Sequence, residues 1–542
     1  MKKSIILTIT AALMLTGCKD SFLERYPEGG TLRQDQYEKL SDQLEGSVRG
    51  LYVKLYSMGG SSHDEFGKRS IDLWGDILCS DIALTGKTYG WLYTDEQMLT
   101  VNRTGTIWGF YYGMLHNINA TIRAFKNGTE FVNHVSKYGY PSEITDGSYK
   151  YTEAEYDQAV YYAQVLALRG YAYANLARWY TPVQESTYMK GYTIKDYSCC
   201  PVYDEYNMDA AQPLASSEAV YKQAFRDLNL AINLYEEFGK DYMRPNKLVI
   251  DLEVVRGILA EAYLNAAVYY TDETQTEYLK NALKQATAVI ESGKYKMISN
   301  EHLLTTGFNN VADESWMWGQ TVTVETSGGL KSWFGQVDIH SYSYAWAGDT
   351  KVIDKNLYDL IPDWDKRKLW FNDGSANSTY ILCPDGKFFS AANPTSTKDD
   401  DLDRDWLSDN VFMRFESMYL IAAEAEYRLG DYSKAMAYLK TITDERINHD
   451  DDEAAMVYAT DIATWSDPET LRKAIIYNWR IEMWGEGYGL ETFRRWNDVR
   501  TRGGNHDYNK GGKADASEDS YNMNIPSSET TYNPNLKNTD KK

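Results

Sequence analysis

Histidines and carboxylates are the residues of this chain that could do acid–base, nucleophilic or metal chemistry, because an enzyme needs such groups in defined positions. The seven histidines are scattered, and none stands in an H-x-H or H-E-x-x-H pattern. "GEGYG" at 485–489 follows no strand pattern and precedes no Lys, which predicts a turn rather than a phosphate-binding loop. A glycosidase's carboxylate pair would meet only in three dimensions, so spacing leaves it open. Since no motif with a catalytic mechanism occurs, we expect no catalytic residues and no enzyme activity.

An acidic run, "KDDDLDRDW", has the alternation with which a calcium-binding loop begins. Its alternating carboxylates are Asp399, Asp401, Asp403 and Asp405. Trp406 stands where that loop needs glycine, and Phe412 stands where it needs a bidentate glutamate. Charge runs usually stay in water, so this pattern favours a solvated loop. No C-x-x-C pair occurs among the five cysteines, and we expect neither a metal nor a cofactor.

Aromatic side chains in polar, glycine-bearing segments are the better candidates for a ligand site. Sugar rings present apolar faces edged by hydroxyls, and Trp and Tyr combine an apolar face with a polar group. "TYGWLY" supplies Tyr89, Trp91 and Tyr93, with Asp76, Asp81 and Asp95 nearby in sequence. "KSWFGQVDIHSYSYAWAGD" supplies Trp333, Tyr342, Tyr344 and Trp346. The alternation of the last three predicts one side of an extended segment, although any of these rings could instead fill the core.

The N-terminus has the layout of a secretory signal. Lys2 and Lys3 precede an uncharged apolar stretch from Ile5 to Leu15, which is 11 residues long and shorter than the roughly 20 needed to cross a bilayer. Leu15-Thr16-Gly17-Cys18 looks like a bacterial lipobox, so we expect residues 1–17 to be removed and Cys18 to carry lipid. The alternative is an ordinary signal peptide with an incidental cysteine.

Net charge limits the partners of the mature chain. The 56 basic and 78 acidic residues become 54 and 78 once Lys2 and Lys3 are removed, a balance of −24. This excess of negative charge argues against nucleic acid as a partner.

Helical patterns dominate the segments that must position these residues. In "QAVYYAQVLALRGYAYANLARWY", small residues recur every three or four positions, which predicts a helix face that another helix approaches closely. Those residues are Ala163, Ala167, Gly170, Ala174 and Ala177. Further helices are predicted after Ser216 or Ser217 and after Asp251, with Gly293 as a later helix stop. "YLIAAEAEYRLGDYSKAMAYLKTI" predicts helix, turn and helix in the manner of a degenerate tetratricopeptide repeat.

The helical period fades between about residues 300 and 410, which we call the aromatic insert. Seven tryptophans stand there among Gly, Ser, Asp and Asn, which predicts long loops with few short strands. We therefore expect an all-α protein, an α-α superhelix of tetratricopeptide-like helix pairs bearing this insert. Residues 18–542 are expected to form one domain.

Several motifs occur in an order that resembles the SusD/RagB-like lipoproteins of Bacteroidetes. They are "CKDSFLERYPEG", "ALRGYAYANLARWYTPVQ", "VYKQAFRDLNLAINLY", "FMRFESMYLIAAEAEYRLGDYSKAMAYLKTITDERIN", "LRKAIIYNWRIEMWGEGYGLETFRRWN" and "NIPSSETTYNPNLKN". The resemblance implies a cell-surface lipoprotein, anchored in the outer membrane, that captures an oligosaccharide above a SusC-like TonB-dependent transporter. It also implies that Trp316 and Trp318, beside "ADESW", belong to a structural strand.

Two alternatives stay open at this point. The same family is linked to peptide capture, which would favour a groove that hydrogen-bonds an extended backbone over an aromatic surface. A structural lid on the transporter, without ligand affinity of its own, is the other.

Overall fold

The structure is a computed structural model that describes residues 41–58, 62–86, 104–239, 247–323, 325–340, 342–375, 378–388, 407–507 and 522–536. Cys18, the signal segment 1–17, the acidic run 399–405 and the aromatics Tyr89, Trp91 and Tyr93 lie outside these ranges.

Sixteen α-helices occur within the described ranges. They are α1 Ser41–Tyr52, α2 Lys68–Leu78, α3 Thr104–Gly128, α4 Glu130–Tyr138, α5 Glu153–Tyr180, α6 Ser217–Phe238, α7 Leu252–Ala267, α8 Glu273–Glu291, α9 Trp333–Val337, α10 Lys355–Asp359, α11 Glu416–Leu429, α12 Tyr432–Asp444, α13 Ala454–Ala463, α14 Pro468–Glu482, α15 Gly489–Trp496 and α16 Ser527–Tyr532. The strands are β1 Ile82–Leu84, β2 Ser198–Pro201, β3 Leu214–Ser216, β4 Trp316–Gln320, β5 Lys351–Ile353 and β6 Asn410–Arg414. The all-α prediction with few short strands is confirmed.

The long helices pack one against the next in a continuous series. Helix α5 lies against α3 and α6, α6 against α7, α7 against α8, α8 against α11, and α11 against both α12 and α14. One contiguous hydrophobic core runs through this series and into the aromatic insert. No helix among the described residues combines the length and the apolar character that a membrane crossing requires.

Helix α5 shows why the small-residue stripe was informative. Thr152 caps its first turn and exchanges hydrogen bonds with Glu155, so the start of the helix is fixed by local chemistry. A Cβ atom on Gly170 would lie 2.6 Å from Leu228 Cγ of α6. Only glycine allows the two backbones to approach this closely. The predicted close helix–helix contact is confirmed.

The other predicted helix boundaries are also confirmed. Ser216 caps α6 through Ala219 N–H, and Asp251 caps α7 through Val254 N–H. Gly293 and Gly430 follow their helices with positive φ angles of 68° and 89°, a conformation that favours glycine.

Three two-stranded antiparallel sheets join segments that are distant in sequence. β4 pairs with β6, and its Trp316 and Trp318 are buried, as the resemblance implied. β1 pairs with β5, with Ala83 opposite Val352, so that the chain before residue 87 lies beside the aromatic insert.

Candidate ligand-binding surface

Tyr342 and Trp346 form an exposed aromatic pair on a compact turn of the insert. Their ring centroids are 5.5 Å apart with an interplanar angle of 63°. Tyr342 is 50% exposed, and Trp346 is half-buried. Each ring therefore keeps part of its surface open to an incoming apolar face.

Local hydrogen bonds fold this segment into a turn. The prediction of an extended segment, made from the alternation of its aromatics, is therefore wrong. Ser343 Oγ accepts from Trp346 N–H at 3.0 Å, and Ala347 N–H donates to Ser343 O at 3.0 Å. A serine that hydrogen-bonds the backbone ahead of it favours a turn over a strand. Gly348, with φ of 104°, lets the chain fold back toward β5. Residues four apart then share a face, which brings Tyr342 and Trp346 together.

Tyr344 points the other way and is buried. Its hydroxyl hydrogen-bonds His63 Nδ1, and the Lys351 ammonium lies 5.7 Å from its ring centroid. The expectation that Tyr344 shares a surface with Tyr342 and Trp346 is thus wrong. In this helix-like turn, side chains four residues apart share a face, whereas in a strand those two residues apart would do so.

Trp333 is buried as well, at 1% exposure. The Arg69 guanidinium lies 4.0 Å from its ring centroid, and the Phe388 ring packs edge-on at 5.1 Å. Trp333 begins α9, a short helix of the insert whose five residues are all buried. Trp333 is therefore a core residue, and its ring offers no surface on which a ligand could stack.

Two of the carboxylates near the "TYGWLY" segment are also structural. Asp81 Oδ1 accepts from Arg480 at 2.8 Å and from Arg500 at 2.9 Å. Asp76 accepts from the backbone N–H groups of Gly487 and Gly489 at 3.1 and 3.0 Å. Both are buried, so neither is available to fix a sugar hydroxyl.

The β1–β5 pairing places the chain before residue 87 beside the aromatic insert, which the sequence alone did not indicate. The Thr85 and Thr350 hydroxyls hydrogen-bond each other. Thr350 lies four residues after Trp346, and Gly86 is the last described residue before the segment that carries Trp91. No local pattern predicts a pairing of strands that are some 270 residues apart, because strand pairing depends on tertiary packing.

Two ion pairs involve residues that lie close to the aromatic pair in sequence. His340 Nε2 pairs with Asp385, whose side chain is 40% exposed. Asp349 pairs with Lys351 at 2.9 Å. A carboxylate accepts hydrogen bonds from hydroxyls, and an imidazole donates to or accepts from them, so these groups complement the apolar ring faces.

A buried ionic cluster fixes the insert to the helical scaffold. Lys387 of the insert donates to Glu486 at 3.0 Å and to Trp484 O at 2.9 Å. Burial lowers its pKa to about 8. Arg367 of the insert donates to Glu482 at 3.1 Å, and both side chains are fully buried. These contacts connect the Arg367 and Lys387 segments of the insert to the end of α14 and the turn that follows it.

Within the described ranges, no three His, Cys, Asp or Glu side chains are grouped as a metal ion would require. Cys79, Cys199, Cys200 and Cys383 are buried, and each is a free thiol.

Comparisons with known proteins agree on one family. Residues 336–539 match the sequence profile of the SusD family. A SusD-like protein of Bacteroides ovatus is 24% identical over 444 residues, which cover 78% of this chain and 72% of that protein. A SusD-like carbohydrate binding protein of Bacteroides vulgatus superposes with a TM-score of 0.66 at 22% identity, covering 92% of this chain and 98% of that one. Surface glycan-binding protein A of Bacteroides uniformis superposes with a TM-score of 0.60 at 13% identity, covering 93% and 100%.

Proposed function

The chain is a SusD/RagB-like protein by its C-terminal sequence and its fold, and on that premise we propose that it is a cell-surface lipoprotein that captures an oligosaccharide without cleaving it. The captured glycan is delivered to a SusC-like TonB-dependent transporter in the outer membrane. Lipid on Cys18 anchors the protein to that membrane. The similar proteins of Bacteroides vulgatus and Bacteroides uniformis are a carbohydrate binding protein and a surface glycan-binding protein, which supports this ligand class.

The exposed pair of Tyr342 and Trp346 is the observation that carries the proposal. A pyranose ring stacks on such a pair through its C–H face, while its hydroxyls reach the His340–Asp385 pair at the rim. A peptide groove would instead need a row of open backbone donors and acceptors. Here the turn uses its backbone N–H groups internally, at Trp346, Ala347 and Gly348.

Tyr89, Trp91 and Tyr93 complete the proposed surface. The described chain that leads toward this segment ends at Gly86, next to Thr85, whose hydroxyl hydrogen-bonds Thr350 of the insert, and this contact supports including the three aromatics in the proposal. We expect Trp91→Ala to lower glycan affinity while leaving the unfolding free energy nearly unchanged.

Binding of the mature protein to a panel of plant and host glycans and of peptides tests the ligand class. We expect one glycan family to bind and the peptides not to bind. Selective peptide binding would replace the proposal by peptide capture, and the absence of any ligand would favour a structural lid.

Recovery of the bound glycan tests the non-catalytic part of the proposal. The protein should return the glycan unchanged after prolonged incubation. New reducing ends, formed faster than with heat-inactivated protein, would contradict it.

A further inference from the structure

A second pocket, of about 310 Å³, lies between α3, the loop 203–212 and α16. It is formed by elements other than the insert and β1, so it is separate from the Tyr342–Trp346 surface. Its volume is at the lower end of the range for small-ligand sites, which is about 300–1,000 Å³. The glycan-capture proposal makes no use of it.

Aromatic rings form the floor and one wall. Trp108, Tyr112 and His116 recur every four residues on α3, so they face the pocket as one stripe. The Trp108 and Tyr112 ring centroids are 4.7 Å apart. Tyr203 from the loop stands at 88° to Tyr112, with 5.9 Å between centroids, and the two rings make a right-angled corner.

Two carboxylates, Asp209 and Glu529, close the pocket. Asp209 is paired with Arg123 at 2.8 Å, so part of its charge is already neutralised. Glu529 forms no ion pair with any residue in the described ranges, and Asn533 Nδ2 donates to it at 2.5 Å. Burial raises the pKa of Tyr203, and the negative charge of Glu529 raises it further. The pocket thus combines an aromatic corner with a carboxylate, Glu529, that has no ion-pair partner in the part of the chain that the structure describes.

The walls are held in place before any ligand arrives. Thr104 at the start of α3 donates to Asn524 O at 2.6 Å, just ahead of α16. Asn533 donates to Gln212 O at 2.8 Å at the other end of α16. Tyr112 donates to Pro201 O at 2.7 Å. A preformed site loses little conformational entropy on binding.

We propose that this pocket binds a small organic cation, an ammonium group that sits in the corner of Tyr112 and Tyr203 and faces Glu529. A cation is attracted both to aromatic faces and to a carboxylate, and each attraction grows where water is excluded. A neutral ligand of the same shape would gain the apolar contact alone. The pocket should therefore bind a cation more tightly than a neutral ligand of the same shape.

Choline and its neutral isostere 3,3-dimethyl-1-butanol are the probes that separate these contributions. Titration of the mature protein at low ionic strength should show choline binding more tightly by at least about tenfold. Glu529→Gln should weaken choline binding by about fivefold or more and leave the isostere unaffected. Added salt should weaken only choline binding.

Two variants serve as controls. Glu469→Gln removes an exposed carboxylate that pairs with Arg472, so it changes the net charge equally without touching the pocket. Trp346→Ala removes part of the proposed glycan surface. Both should bind choline as the wild type does, which makes this inference independent of the proposed function.

Equal binding of choline and its isostere would overturn the inference, as would the absence of choline binding at millimolar concentrations. Tyr203→Leu, with folding checked by circular dichroism, provides a second readout. If this variant loses affinity for the captured glycan and keeps its affinity for choline, the pocket is a sugar subsite and the inference is wrong.

Discussion

Substitution of Glu482 by glutamine should destabilise the protein strongly, because this carboxylate joins three buried arginines. Its Oε1 accepts from Arg414 at 3.1 Å and from Arg446 at 2.9 Å. Its Oε2 accepts from Arg367 at 3.1 Å and from Arg446 at 2.9 Å. All four side chains are fully buried.

The magnitude follows from what glutamine cannot do. Its amide nitrogen would face arginine N–H donors where an oxygen now accepts, so two charged hydrogen bonds are lost, each worth about 1.5–3 kcal/mol. The excess positive charge stays buried, and breaking a buried pair costs about 3–5 kcal/mol. We expect the unfolding free energy of Glu482→Gln to fall by about 3–5 kcal/mol.

Guanidinium unfolding followed by tryptophan fluorescence measures this loss as a shift of the midpoint at an unchanged slope. Glu469→Gln is the matched control, since it breaks an exposed pair with Arg472 and should cost no more than about 1 kcal/mol. If Glu482→Gln unfolds within about 1 kcal/mol of the wild type, the cluster does not hold the insert to the scaffold in the way described.

Three further predictions concern the core, the pH dependence and the anchor. Trp333→Ala should lower the unfolding free energy by about 3–5 kcal/mol, because it leaves a cavity in the core. A loss below about 1 kcal/mol would contradict the burial of Trp333. Burial alone would raise the pKa of Glu205, but the hydrogen bond from Lys126 and the charge of Arg169 hold it at about 2. Ionised Glu205 therefore stabilises the fold at pH values above its unfolded pKa. The difference in unfolding free energy between the wild type and Glu205→Gln should shrink as pH falls from 4.5 toward 2. A constant difference would contradict the pairing of Glu205 with Lys126 and Arg169. Cys18→Ala should release the protein from the outer membrane in cells that lack the partner transporter, and retention in the membrane fraction would contradict lipid anchoring.

Local patterns were sufficient for the helical scaffold. The stripe around Gly170, the cap at Ser216 and the turn at Gly430 each depend on residues within one or two helical turns. Such short-range signals are present in the sequence itself, so the fold class and these helix boundaries could be predicted from it.

The ligand surface was harder to predict because its geometry depends on distant partners. The alternation of aromatics predicted that Tyr344 shares a face with Tyr342. The Ser343 side chain instead accepts a hydrogen bond from Trp346 N–H and favours a helix-like turn. The residues around Trp333 in sequence have the composition of a binding loop, yet its ring is buried against Arg69 and Phe388. Burial against residues that are hundreds of positions away leaves no local trace in the sequence.

The central claim is that the turn bearing Tyr342 and Trp346 binds the captured glycan. Calorimetric titration of the double variant Tyr342→Ala/Trp346→Ala with the glycan selected from the panel tests it most directly. Tyr192→Ala is the matched control, because Tyr192 is similarly exposed (48%) and also packs edge-on against a neighbouring ring. Each stacking face is worth about 0.5–1.5 kcal/mol beyond its buried area. The double variant should therefore lose at least about fivefold in affinity while the control binds normally. Unchanged affinity of a correctly folded double variant would contradict the claim.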